Sequence, residues 1–233
     1  MALTLSAALI LGFARTFFFK AWFPDWAAAH GARESIFYVH GTIFTAWYAL
    51  LVTQASLISV RRVAWHRRIG LAGAAVAVLV AVFGVAASLI AAGRPTGFID
   101  VPVPSLEFLT VPLGIVFLYA VFTALAFSLR RDVQAHKRYM LLASIVMIEA
   151  AVTRWPFAFM SGDSPVPFLD MSGFVTDLFL LPMIAWDLRS RGWLHVVTLW
   201  GGLGMIGFHA LRMPLGSTAA WQAFAAWAVQ LSG

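Results

Sequence analysis

Residues 61–92 read RRVAWHRRIGLAGAAVAVLVAVFGVAASLIAA, and this stretch decides the fold class. Its arginines are followed by residues 69–92, none of which carries a charge. An α-helix of about 20 apolar residues spans the roughly 30 Å hydrocarbon core of a bilayer. Six further stretches are long and apolar enough to span it, at roughly 2–19, 36–60, 105–129, 139–160, 171–188 and 194–212, and a shorter stretch covers 217–231.

This pattern predicts an all-α integral membrane protein, with about seven transmembrane helices (six to eight) in a single domain over residues 1–233. The composition agrees, because 61% of the residues are hydrophobic and 11% are charged, against about 25% charged in soluble proteins. The chain has no cysteine, which excludes disulfides, thiolate metal sites, iron–sulfur clusters and covalently attached haem. We interpret the net charge of +6 as loop charge facing anionic lipids, not as a nucleic-acid surface.

The basic residues predict the topology. Arginine and lysine concentrate in the loops at 61–68, 130–138 and 189–191, and such loops are typically cytoplasmic. The N-terminus is then cytoplasmic too, and since no basic segment precedes the first apolar run, we expect no cleaved signal peptide. Arg15 and Lys20 conflict with this topology at the outer end of the first segment. If that segment is re-entrant, the count is six.

A weak internal repeat links two of the basic loops. At an offset of 70 residues, five positions from Arg61 to Leu71, among them His66, match those from Arg131 to Leu141, among them His136. A duplication of helical hairpins would produce this pattern, and so would the positive-inside rule alone. Both interpretations stay open.

Ionisable residues within the predicted spans indicate a functional site, because each is costly in the bilayer. We expect most of them in the outer half of the bundle and Glu149 near mid-depth. They would form a polar site open to the outer side, or internal ion pairs such as Arg154 with Glu107 or Asp177. Pro156 and Pro182 indicate local helix irregularity nearby. The set comprises Arg15, His40, Glu107, Glu149, Arg154, Asp177 and His209.

The histidines suggest a haem site. His195 and His209 are fourteen residues apart, so they share one helix face about 21 Å apart, with Gly202 midway. His40 lies at the outer depth of His209, and His66 and His136 lie at the inner depth of His195. This arrangement suits b-type haem, with one haem between His40 and His209 favoured over two. The arginines available for haem propionates are Arg15, Arg154 and Arg212 outside and Arg67, Arg68 and Arg138 inside.

Short motifs resemble known families. The fourteen-residue pair resembles the ligand spacing of cytochrome b in quinol-oxidising complexes, and HRRIG at 66–70 is similar to helix starts of ascorbate-type dihaem cytochromes. VHGTIFTAW (39–47), HRRIGLAGA (66–74), HKRYMLLA (136–143) and WDLRSRGWLH (186–195) resemble a family of uncharacterised bacterial multi-pass inner-membrane proteins. That resemblance implies a location in the bacterial inner membrane and no assigned role.

Other sites receive weaker support. His40 and His209, with Glu107 and Asp177, form a mixed nitrogen–oxygen donor set for zinc, iron or copper. GGLGMIG at 201–207 contains a G-x-G-x-x-G pattern inside an apolar helix, where Gly201, Gly204 and Gly207 predict close helix packing and not dinucleotide binding.

Three functions stay open at this point. The first is a redox protein that exchanges electrons between haem b and quinol. The second is an accessory subunit of a larger respiratory or photosynthetic complex. The third is a proton-coupled transporter that uses Glu107, Glu149, Arg154 and Asp177.

Overall fold

The computed structural model describes residues 1–25, 34–99, 101–155 and 168–231, which form helices and turns without a strand. A π-helical turn (Ala14–Phe18) and a 3-10 turn (Lys20–Trp22) follow the first helix. In chain order the α-helices are α1 (Ala2–Gly12), α2 (Ser35–Ser59), α3 (Val63–Gly93), α4 (Ser105–Phe108), α5 (Thr110–Ser128), α6 (Val133–Val152), α7 (Phe168–Leu178), α8 (Leu181–Arg191), α9 (Val196–Gly216) and α10 (Ala219–Gln230).

Within these ranges, five helical stretches are long and apolar enough to cross a membrane: α2, α3, α4 with α5 (Ser105–Ser128), Met171–Arg191 and α9. The outward faces are apolar as well, as on α3, where Leu71, Val78 and Val82 are exposed. A helix that exposes such side chains along its length matches a lipid environment. The all-helical class is therefore confirmed, and the apolar helices suggest a membrane protein. The predicted number of seven spans stays a prediction.

The most deeply buried helix is α6, in which 12 of 20 residues are buried. It packs against α1, α5, α7 and α9, and it carries Lys137, Arg138 and Glu149. Polar contacts fix it to α2, where the Trp47 indole donates to Ser144 Oγ (3.1 Å) and the Tyr48 hydroxyl donates to the Ser144 carbonyl (2.7 Å). Asp132 caps its first turn by accepting from the backbone N–H groups of residues 134 and 135, as favoured at helix N-termini.

Three predicted segments differ from the structure. The stretch 2–19 is not one helix, because α1 ends at Gly12 and is about 16 Å long. Helix α10, at about 18 Å, is also shorter than the hydrocarbon core. The stretch 171–188 breaks between Leu178 and Leu181, which confirms the irregularity predicted at Pro182, because proline lacks the N–H that would continue the helix. Pro156 lies outside the described residues.

The three basic loops lie at one end of the bundle. His66 and His136 have ring centroids 6.3 Å apart, and the Arg138 guanidinium bonds to Asp187 at the end of α8. We call this the basic end, and the opposite end, where α2 begins and α3 ends, the cavity end. The loops are grouped as predicted, while the side of the membrane that the basic end faces stays a prediction. Helices α3 and α6 begin 70 residues apart, at Val63 and Val133, in the register of the predicted repeat.

The glycines of the G-x-G-x-x-G pattern behave differently from one another. A Cβ at Gly201 would collide with Leu142 of α6, so close packing is confirmed there. At Gly204 and Gly207 a Cβ would meet no described atom within 4 Å. These two glycines therefore do not pack closely against the described helices, and the packing role predicted for them stays a prediction.

Two helix backbones come into close contact at Gly12, where a Cβ would collide with the backbone of Ala151 in α6. We predict that Gly12→Ala destabilises the protein by about 1–3 kcal/mol, because α1 must move away from α6. The measurement is unfolding by SDS in mixed micelles, followed by circular dichroism. Gly204→Ala is the matched control and should be neutral or slightly stabilising. Equal destabilisation by the two substitutions would contradict close packing at Gly12.

Candidate functional site

A cavity of about 1090 Å³ opens at the cavity end between α1, α2, α3, α5 and α6. Ligand pockets of membrane and soluble proteins typically enclose about 300–1,000 Å³ with mostly apolar walls and a few polar groups. The walls here are strongly aromatic. Seven phenylalanines contribute to them: Phe13, Phe17, Phe18, Phe37, Phe44, Phe98 and Phe108.

The charged groups of the cavity are mostly cationic. Arg15, Arg94 and Arg154 line it together with Glu149. Arg94 forms an ion pair with Glu34 (Nε–Oε1 2.8 Å), and Arg154 bonds to the Ala150 carbonyl and lies 4.6 Å from the centroid of the Phe13 ring. These contacts fix both guanidinium groups at the wall. The cavity wall therefore brings together four residues of the predicted polar site, Arg15, His40, Glu149 and Arg154, while its opening to the outer side of the membrane stays a prediction.

His40 is the histidine of the cavity wall. Its ring stacks on Phe44 with centroids 5.8 Å apart and planes 15° apart, and its edge faces Gly84 of α3. Its Nδ1 is buried without a hydrogen-bond partner among the described residues. A buried nitrogen without a partner is unfavourable, so His40 is suited to bind a group that enters the cavity.

Behind the cavity wall lies a charge cluster of Glu149, Ser172, Asp177, His209 and Arg212. Glu149 and Arg212 are fully buried and form an ion pair, and Ser172 Oγ donates to Glu149 Oε1 (3.1 Å). His209 lies between two carboxylates. Its Nδ1 is 2.9 Å from Asp177 Oδ1 and its Nε2 is 3.3 Å from Glu149 Oε2, the latter an ion-pair distance without hydrogen-bond geometry.

The cluster holds α6, α7 and α9 together and requires small neighbours. A Cβ at Gly173 would come within 3.2 Å of both His209 and Arg212. Asp177 is the most accessible member, with 18% of its side chain exposed, whereas Glu149 is inaccessible. Glu149 belongs both to the cavity wall and to the cluster, and so connects the two.

The haem face predicted on α9 is occupied by protein. His209 has a carboxylate at each ring nitrogen, and Leu180 covers Gly202 at contact distance. His195 caps α9, because its Nδ1 accepts from the Val197 N–H (3.1 Å). Burial, with the positive charges of Arg138 and Arg191, holds the pKa of His195 below its usual value, which suits this acceptor role. The two haem ligands predicted on α9 are therefore engaged in contacts within the protein.

His66 and His136 lie close together at the basic end, but each is bound by residues of its own helical hairpin. His136 Nδ1 lies 2.8 Å from the Ala126 carbonyl. His66 lies against Gln54, whose amide, in the orientation that satisfies its neighbours, also accepts from the Gly70 N–H (3.0 Å). These contacts fix the loop between each helix pair, which is a structural role.

Sequence reasoning missed one buried ion pair and one member of the cluster. Asp187 is fully buried and bonds to Arg138, to the Thr198 hydroxyl (2.6 Å) and to the His195 N–H (3.0 Å). The predicted spans placed Asp187 and Arg138 at loop ends, so neither required a partner. Ser172 carried no charge and gave no signal.

The ion pairs predicted between Arg154 and either Glu107 or Asp177 are not found among the described contacts. Glu107 is half-buried next to Gly216 and lies outside both the cavity wall and the cluster. Asp177 contacts His209 and not Arg154. In the described ranges, no three or more His, Asp or Glu side chains are arranged to hold a metal ion. The metal pair His40 and His209 stays a prediction.

Comparison with known proteins identifies no relative. No family model, no curated protein and no solved structure matches the chain. The resemblance of its short motifs to uncharacterised inner-membrane proteins therefore stays a prediction.

The buried ion pair predicts a non-additive response to mutation. We expect Arg212→Gln to destabilise the protein by about 3–5 kcal/mol, because Glu149 is left buried without its main counter-charge. The double variant Glu149→Gln/Arg212→Gln should recover most of that loss. SDS unfolding of the four proteins in a double-mutant cycle measures the coupling.

Arg189→Gln is the control for the cycle, since Arg189 is exposed at the basic end and should change stability by less than about 0.5 kcal/mol. If the double variant is less stable than Arg212→Gln alone, the pair does not act as a unit.

Proposed function

We propose that the protein is a proton-linked membrane carrier that binds a small amphipathic anion in the cavity. The observation that carries the proposal is the position of Glu149, a residue of the cavity wall whose fully buried carboxylate contacts a histidine and an arginine behind that wall. Intramembrane groups in such arrangements are typical of proton relays and substrate pathways.

The walls support an amphipathic ligand. Seven phenylalanines provide an apolar surface, and aromatic rings contribute large contact areas at low conformational cost. Three arginines line the same cavity, of which Arg94 is paired with Glu34. A guanidinium group presents several N–H donors in a planar fork that matches a carboxylate or a similar anion, so this wall favours an anionic head group over a cationic one.

The cavity also favours a carrier over an accessory subunit. A subunit that only packs against a larger complex requires apolar outer faces, and it does not require an internal cavity next to buried ionisable groups. Because burying charges costs free energy even when they are paired, the cluster carries a stability cost that a ligand-handling role explains.

Binding of matched probes tests the proposal. In lipid nanodiscs, calorimetry should show that phenyloctanesulfonate binds at least tenfold more tightly than phenyloctanol or phenyloctylamine, a difference of about 1.4 kcal/mol or more. Ala150→Phe should abolish binding, because Ala150 lines the cavity and the larger ring fills it.

Ala75→Phe is the control for that substitution, since Ala75 is exposed on α3 away from the cavity. Equal binding of the three probes, or loss of binding in both variants, would contradict the proposed site.

A second candidate function is favoured by His40. Haem b is a flat, largely apolar group with two carboxylates, and when bound it supplies one-electron chemistry. The residues present fit one such group. His40 has a buried ring nitrogen without a described partner, Met147 also lines the cavity, and Arg15 and Arg154 could contact propionates.

Absorption spectra after addition of haemin test this candidate. A Soret band should appear in the wild type and in His209→Ala, and it should be lost in His40→Ala. If the band is also lost in His209→Ala while the fold is intact, the result would support a haem bound by both His40 and His209. A wild type without a Soret band excludes haem at this site.

A further inference from the structure

We infer that the basic end has a binding site for one anionic phospholipid, whose phosphate contacts Lys137 and Arg191. This site is independent of the cavity and of the ligand proposed for it. Its starting point is a pair of cations from two helices, each of which lies beside an exposed tryptophan. Lys137 Nζ is 5.8 Å from the centroid of the Trp186 ring. The guanidinium carbon of Arg191 is 5.4 Å from that of the Trp193 ring.

The contact between α6 and α8 brings the two cations together. The ion pair of Arg138 and Asp187 joins the first turns of α6 to the end of α8, and Lys137 is the chain neighbour of Arg138. Helix α8 then ends at Gly192 in the left-handed conformation (φ 76°), which glycine adopts readily. As a result, the charges of Lys137 and Arg191 lie close enough to repel each other.

The described part of the chain supplies no counter-charge to this pair. Neither Lys137 nor Arg191 forms a hydrogen bond or an ion pair with a described residue. Arg138 also repels Lys137. Asp187 attracts Lys137, but its carboxylate is already engaged by Arg138 and by two donors at the start of α9. Asp132 caps the first turn of α6. An added anion would therefore relieve the repulsion between the two cations.

The surroundings of the two cations favour a lipid over a soluble anion. Trp186 and Trp193 are 59% and 63% exposed, and tryptophan is enriched at the depth of lipid head groups. An exposed apolar stripe continues from there along α9, formed by Val196, Trp200 and Leu203, which share one helix face at spacings of four and three residues. A phospholipid offers a phosphate to the cations and acyl chains to such a stripe.

The chemistry of the pair also predicts which phospholipids bind. Phosphate oxygens accept charge-assisted hydrogen bonds from an ammonium group and from the planar fork of a guanidinium. A choline head group would bring a further cation next to Lys137 and Arg191, whereas the glycerol head group of phosphatidylglycerol is uncharged. The site should therefore select for a net negative head group and not for phosphate alone, as basic pockets between membrane helices do.

Native mass spectrometry of the purified protein in mild detergent tests the site by titration with lipids of identical acyl chains. We expect the wild type to bind phosphatidylglycerol about tenfold or more tightly than phosphatidylcholine. In Lys137→Gln/Arg191→Gln this preference should fall to about twofold or less, because both phosphate contacts are lost. Circular dichroism checks that the variant is folded.

Arg62→Gln/Arg67→Gln is the matched control, because it removes the same charge from two exposed positions at the start of α3 and should keep the full preference. If the variant of Lys137 and Arg191 does not fold, Arg191→Gln replaces it, since Arg191 is exposed. That single substitution should lower the preference about threefold or more, and an unchanged preference would overturn the site.

Three further outcomes would also overturn the proposal. Equal binding of the two lipids by the wild type would exclude selection by head-group charge. Equal loss of preference in the two double variants would show a diffuse attraction by the whole basic end. Displacement of bound phosphatidylglycerol by excess inorganic phosphate would assign the two cations to a soluble anion and not to a lipid.

Discussion

The buried ion pair of Glu149 and Arg212 is the interaction on which the cavity end depends. Both side chains are fully buried, and each charge offsets part of the free energy that burying the other one costs. The pair fixes α9 against α6, and Ser172, bonded to Glu149, brings α7 to the same place. Since Glu149 is also a residue of the cavity wall, the ion pair that stabilises the helix packing lies directly behind the space that a ligand would occupy.

A second buried ion pair stabilises the packing of the helices at the basic end. Arg138 and Asp187 connect α6 to α8, and Asp187 also holds the first turn of α9 through Thr198 and the His195 N–H. Both pairs involve α6, one near each end of the helix. The basic-end pair lies outside the cavity wall, and every described acceptor site of its carboxylate is occupied by a structural donor. This contrast explains why we assign function to one pair and not to the other.

The sequence predicted the helical membrane class, the grouping of the basic loops and four of the residues that line the cavity. These follow from apolar length, loop charge and the rarity of ionisable groups in membrane helices. It did not predict which groups pair. Helical periodicity places His195, Gly202 and His209 on one face, but it does not show that Leu180 and two carboxylates fill that face. Ser172 and Asp187 acquire their roles only from tertiary contacts.

The cavity itself follows from the interruption of the first apolar segment. Helix α1 ends at Gly12, where its backbone touches α6, and a helix of about 16 Å covers only half of the hydrocarbon core. The chain continues as a π-helical turn in which Phe17 packs against Gly41 of α2, where a Cβ would lie 2.8 Å from the ring. The other half of the core at this position is left to the cavity. Arg15, which contradicted the topology rule as part of a spanning helix, is instead a residue of the cavity wall, and there its charge serves the anion for which the site is proposed.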